Sequence, residues 1–176
     1  MIRDRHPAMP TRRSACLGLL MATGFAPAMA LDTPRAEPVL TVSGQVRMPN
    51  RGADAVFDMA MLAALPQSDI VTHTPWYSGE PRRFTGPLVR DILGAAGAAR
   101  TSVLRAVALN DYRVEIPAED AHGIDMIVAR LLDGRPMPVR EKGPLFVMYP
   151  FDTRPELRTP LFFNRCIWQL RAIEVA

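Results

Sequence analysis

The chain has 176 residues, 48% apolar and 22% charged, which excludes disordered and fibrous classes and suits one domain of roughly 100–200 residues. Its formal charge of +3 resides in residues 1–30, where Arg3, Arg5, Arg12 and Arg13 stand against Asp4. Taking those four and one from totals of 21 and 18 leaves 17 basic and 17 acidic side chains. The remainder has no general electrostatic pull toward nucleic acid or an anionic membrane surface.

Residues 1–13 are basic, and an apolar run from Ala15 to Ala30 ends in Ala28-Met29-Ala30. That order is the pattern of a secretory signal, with cleavage expected before Leu31 and a periplasmic destination. The run is too short, and too interrupted by Pro27, to span a bilayer, so no membrane-embedded part is expected. Arg12-Arg13 before Ser14 also fits a twin-arginine signal, so both export routes stay open. Cys16 leaves with the signal, and Cys166 is then the one remaining cysteine. No internal disulfide is possible, and a buried structural thiol is the expected role.

Residues 31–38 read as a linker, and the domain proper as 39–176. Val39 to Val46 alternates as an opening strand, and Phe57 to Leu65 has helical spacing that Pro66 stops. A β-branched strand, Ile70 to Thr74, runs into the loop Pro75-Trp76-Tyr77-Ser78-Gly79. Phe84-Thr85-Gly86-Pro87 reads as a turn into a short helix, Leu88 to Ala96, closed by Gly97. Strands follow at Val103–Leu109 and Arg113–Ile116, separated by the turn signal Asn110-Asp111. Ile124 to Leu132 suits either strand or helix before the turn Asp133-Gly134. Leu145 to Tyr149 is a short buried strand, and Phe162 to Val175 a β-prone closing stretch. Many short strands with two or three short helices make a mixed α+β domain.

The order of these landmarks resembles the sulfite-oxidase-type molybdopterin-binding domain family. The resemblance is carried by Val42-x-Gly44, the Trp76 loop, and Phe84-Thr85-Gly86-Pro87-Leu88-x-x-Asp91-Ile92-Leu93-x-x-x-Gly97. It continues through Asn110-Asp111-Tyr112-x-x-x-Ile116-Pro117 and Leu132-Asp133-Gly134-x-x-Met137. Gly143-Pro144-Leu145-x-x-x-Tyr149-Pro150 and Trp168-Gln169-Leu170-x-x-Ile173-x-Val175 complete it. The resemblance covers residues 39–176 and implies a mixed barrel-like sheet with a few short helices in a single domain. It also implies a molybdopterin site, yet the family's enzymes ligate molybdenum with a cysteine thiolate in the loop after the strand Ile70–Thr74. In register, Trp76 stands there, and tryptophan cannot ligate a metal.

A pterin needs an aromatic face to stack on and an amide or carboxylate to meet its guanidine-like edge. Trp76 supplies such a face, and Asn110, Asp111 and Tyr112 supply an amide, a carboxylate and a phenol. The resemblance adds Tyr149 and Arg165 near the cofactor cleft, with Arg165 placed to meet a hydroxylated or phosphorylated tail. It also sets His73 beside the pocket on the strand entering the loop. Competing readings stand beside these: Trp76, Tyr149 and Trp168 as core aromatics, Asn110-Asp111 as a plain turn, and Arg82-Arg83 as solvated charge. His122 reads as a helix-end or surface residue. His73 and His122 offer no ordinary metal-ligand spacing, and neither pairs with a nucleophile motif.

Three functions are therefore expected to compete. The first is an exported, non-catalytic pterin-binding protein whose loaded form is read by a membrane sensor, a role the resemblance implies for small exported relatives. The second is a molybdopterin-dependent oxidoreductase without a protein thiolate. The third is a ligand-free module on an enzyme scaffold. Fold alone cannot choose among them, because chemistry resides in the site.

Overall fold

The computed structural model describes residues 31–100 and 103–176, so the expected signal segment, Cys16 included, lies outside the described residues. The largest sheet holds five strands in the order β2-β1-β11-β5-β6. These are β1 (Leu40–Gly44), β2 (Ala55–Phe57), β5 (Val103–Ala108), β6 (Arg113–Pro117) and β11 (Leu170–Val175). β1 and β11 pair in parallel, and the other neighbours are antiparallel. Alternation in β1 places Leu40 and Val42 in the core while Thr41 and Ser43 stay half-exposed.

A second, antiparallel sheet has the order β3-β4-β8-β9, from β3 (Gln67–Thr74), β4 (Tyr77–Pro87), β8 (Leu131–Leu132) and β9 (Arg135–Pro136). A third pairs β7 (Ile127–Ala129) with β10 (Phe146–Met148). The expected barrel-like sheet is thus three separate sheets around one core and not a closed barrel. Phe57, Phe84, Phe146, Tyr149 and Phe151 are fully buried at its centre.

Among the described residues, four short α-helices close the gaps: α1 (Met59–Ala64), α2 (Val89–Ala95), α3 (Ala118–Gly123) and α4 (Pro160–Arg165). Asp58 caps α1, its Oδ1 accepting from the Met61 amide at 2.8 Å. Its other oxygen accepts the Arg35 amide at 2.8 Å, which fastens the segment read as a linker to the domain. These bonds, Met61 first, hold the Asp58 carboxyl below its ordinary range against the effect of burial. Among the described residues, no helix is long and apolar enough to cross a membrane.

Two readings need correction, and a third, open between strand and helix, is decided. Phe84 to Pro87 is no turn but the end of the 11-residue β4. The pairing of Gln67 to Thr72 with Arg82 to Pro87 keeps it extended, and Pro87 falls at the strand's last position, where a missing N–H costs least. Ile124 to Leu132 resolves into strands, with β7 completely buried. Phe162 to Val175 is not continuous β: Pro160 at the first helical turn starts α4, and the strand begins only at Leu170.

Gly86 allows the close crossing of β4 and β7, since a Cβ there would lie 1.9 Å from the Val128 carbonyl oxygen. Gly86→Ala is expected to cost about 1–3 kcal/mol of stability, because backbone and not a flexible side chain would have to move. A urea denaturation midpoint lowered at unchanged slope would report it.

Candidate functional site

The β3–β4 hairpin turns at Pro75-Trp76, with Thr74 opposite Tyr77, and so carries Trp76 at its tip. The indole is half-buried. It tilts against Phe146, with ring centroids 5.4 Å apart, and stands edge-on to Phe163 at 6.1 Å and Trp168 at 6.0 Å. Trp76 is therefore at once a packed aromatic and the wall of a cleft of about 320 Å³, at the small end of ligand pockets.

The facing wall is the β5–β6 turn. The Asp111 amide donates to the Ala108 carbonyl at 3.1 Å, and Asp111 adopts a φ of 63°, in the left-handed region that Asp tolerates. Asn110 Oδ1 accepts the Tyr112 amide at 3.2 Å, so this residue shapes its own turn while its Nδ2 donors stay available. Asn110 and Tyr112 line the cleft, with Tyr112 53% exposed. The third wall comes from α4 and the segment after it, through Phe163, Asn164, Cys166 and Trp168.

The structure brings together three of the seven residues singled out from sequence: Trp76, Asn110 and Tyr112. The other four lie outside the cleft lining. Asp111 does not line it, and its carboxylate pairs with Arg171. Tyr149 is fully buried, and its hydroxyl donates to Asp120 Oδ2 at 2.8 Å. Arg165 donates to the same oxygen at 2.8 Å. Both are thus committed to a buried carboxylate and not to a ligand tail. Burial, with the Asp120 charge second, pushes the Tyr149 phenol far up, so it stays protonated.

His73 stands at a register shift in β3, with its Nδ1 2.7 Å from Asp152 Oδ2 and its amide donating to Oδ1 at 3.1 Å. Thr72 and Arg158 bond the same carboxylate. Burial raises the Asp152 carboxyl, but bonds from His73, Arg158 and Thr72 outweigh it and hold it at about 2. Against an ordinary value of 3.8, this depressed folded-state pKa favours folding above about pH 4, and the benefit disappears as pH falls toward 2. Asp152→Asn is accordingly expected to destabilise the protein at neutral pH and much less near pH 2.5. Denaturant midpoints of both proteins across that range would check it.

The cleft also takes in residues that the sequence reading placed elsewhere. Trp168, read as a core aromatic, is 39% exposed at the cleft. Lys142 Nζ lies 5.5 Å from its ring centre and 5.6 Å from that of Tyr77. Cys166, the cysteine set apart from the Trp76 loop by sequence, reaches the same cleft from the end of α4. Burial raises its thiol pKa, so it stands as a neutral S–H. Arg82 and Arg83 pair with Asp133 and Asp69, and His122 is exposed in the last turn of α3.

The donor set separates the two ends of a molybdopterin. The cleft offers aromatic faces and carboxamides of the kind a flat ring stacks on, but as a thiol for a metal it offers only the protonated Cys166. Among the described residues, no group of three or more His, Cys, Asp or Glu could hold a metal ion. No charged side chain is among the residues lining the cleft, and the cation beside it, Lys142, stands over the ring of Trp168.

The chain shares its fold with part of a sulfane dehydrogenase. The solved structure is that of sulfane dehydrogenase SoxCD from Paracoccus pantotrophus, at a TM-score of 0.55 and 15% sequence identity. The likeness covers 77% of this chain but only 37% of that one. At this identity the likeness shows the fold alone. No family model matches the chain, and no curated protein matches it.

Proposed function

We propose that this chain is an exported, non-catalytic pterin-binding protein that holds an uncharged pterin in the Trp76 cleft. On this reading the loaded form is presented to a partner, with a membrane sensor as the partner class the resemblance implies. The observation that carries the proposal is the occupant of the hairpin tip. Where the family's enzymes place a metal-ligating thiolate, this chain places an indole, on a cleft lined by aromatic rings, two carboxamides and no charge.

The chemistry is then binding. Trp76 and Trp168 offer ring surface, and Asn110 and Tyr112 offer hydrogen-bonding groups at the ring's edge. The Asp120–Arg165 pair holds α4, and with it the third wall, in place. A neutral ligand in an uncharged cleft is expected to bind equally well at low and high salt, because no ion pair is present to be screened. Calorimetric titration with pterin at two ionic strengths would check this, and a steep loss of affinity with salt would count against it.

A molybdopterin-dependent oxidoreductase is the second reading, favoured by the activity named for the structural neighbour. Metal and pterin analysis of protein purified from a pterin-producing host separates the two. Stoichiometric pterin without molybdenum supports the binding protein, and stoichiometric molybdenum supports the oxidoreductase.

A further inference from the structure

We infer that Asn164 determines specificity in the cleft, its carboxamide reading the paired donor and acceptor edge of an uncharged heterocyclic ring. The inference rests on the pterin reading and names what selects the ligand. Asn164 sits in the last turn of α4, on the wall built by Phe163, Cys166 and Trp168. Its carboxamide makes no hydrogen bond among the described residues, unlike that of Asn110, whose oxygen is used by the Tyr112 amide. An unengaged carboxamide presents an acceptor oxygen and an NH₂ donor side by side in one plane. That pair matches a lactam, where a ring N–H adjoins a carbonyl, and it matches no charged group preferentially.

Its placement is fixed from both sides. Arg165, the next residue, is tied to Asp120 at 2.8 Å, and Cys166 beyond it is buried. Phe163 before it contacts the ring of Trp76. Asn164 itself remains exposed, so a ligand covering it replaces water on the amide without disturbing the fold. A single neutral hydrogen bond of this kind changes affinity by roughly threefold to tenfold.

The test uses pterin and 3-methylpterin, whose methyl group removes the lactam N–H, as calorimetric probes of the parent, Asn164→Ala and Trp76→Phe. The parent is expected to prefer pterin by roughly threefold to tenfold, and Asn164→Ala to lose that preference by weakening pterin more than 3-methylpterin. Trp76→Phe is expected to weaken both ligands and keep the preference. An unchanged melting temperature in Asn164→Ala would show that the fold is intact. If the parent binds pterin and Asn164→Ala keeps the preference, the role of Asn164 is overturned while the pterin reading stands. If the parent binds neither ligand, the pterin reading fails and this inference fails with it.

Discussion

Trp76→Ala is expected to weaken pterin binding by about 1–3 kcal/mol, roughly a fivefold to 150-fold rise in Kd. The magnitude follows from losing one stacked aromatic face against a flat heterocycle. The same change removes packing from Phe146, Phe163 and Trp168, whose centroids all lie within 6.1 Å of the indole. Some lowering of stability will therefore accompany it, and binding must be measured well below the variant's melting temperature. Trp76→Phe separates the two effects, since phenylalanine keeps a face and much of the packing. Wild-type affinity in Trp76→Ala would end the stacking role.

Asp120→Ala is expected to cost about 3–5 kcal/mol, the usual penalty for removing one partner of a buried ion pair. Asp120 Oδ2 accepts from Tyr149 and Arg165 at 2.8 Å each, so its loss strands a guanidinium and a hydroxyl together. The Arg165 side chain is only 15% exposed and cannot easily turn to water. Asp120→Asn should recover part of the loss, because an amide oxygen still accepts from the phenol while the charge attraction is gone. Chemical denaturation of the three proteins measures this order. A loss below 1 kcal/mol in Asp120→Ala would mean that Arg165 finds another partner.

Local patterns revealed much of the fold and less of the site. β1, β3, β5 and β6 follow from alternation and β-branched residues, and α1 from its helical spacing ahead of Pro66. β4 hid because Thr85-Gly86-Pro87 has turn composition, whereas the reason for Gly86 is a crossing strand more than forty residues away in sequence. α3 and α4 are as short as α1, six residues each, but lack its unbroken run of strong helix formers, Met59 to Ala64. At the site, Trp76, Asn110 and Tyr112 were legible because each sits in a hairpin turn that sequence marks. Tyr149 and Arg165 were misplaced because their partner, Asp120, lies 29 and 45 residues away and carries no local signal. Asn164 belongs to no motif, and only the packing of Phe163 against Trp76 brings it to the cleft.

The position of β11 has a consequence for when the protein can fold. It comes last of all the described elements, yet it lies between β1 and β5 in the middle of the five-stranded sheet. Until it arrives, β2-β1 and β5-β6 are two separate hairpins without the strand that joins them, and isolated pairs of strands are marginal in water. The parallel pairing of Thr41 with Ala172 joins two distant parts of the chain, so its loop-closure entropy must be met before the contact yields anything. A growing chain therefore stays without its main sheet until residue 170 and beyond has been made.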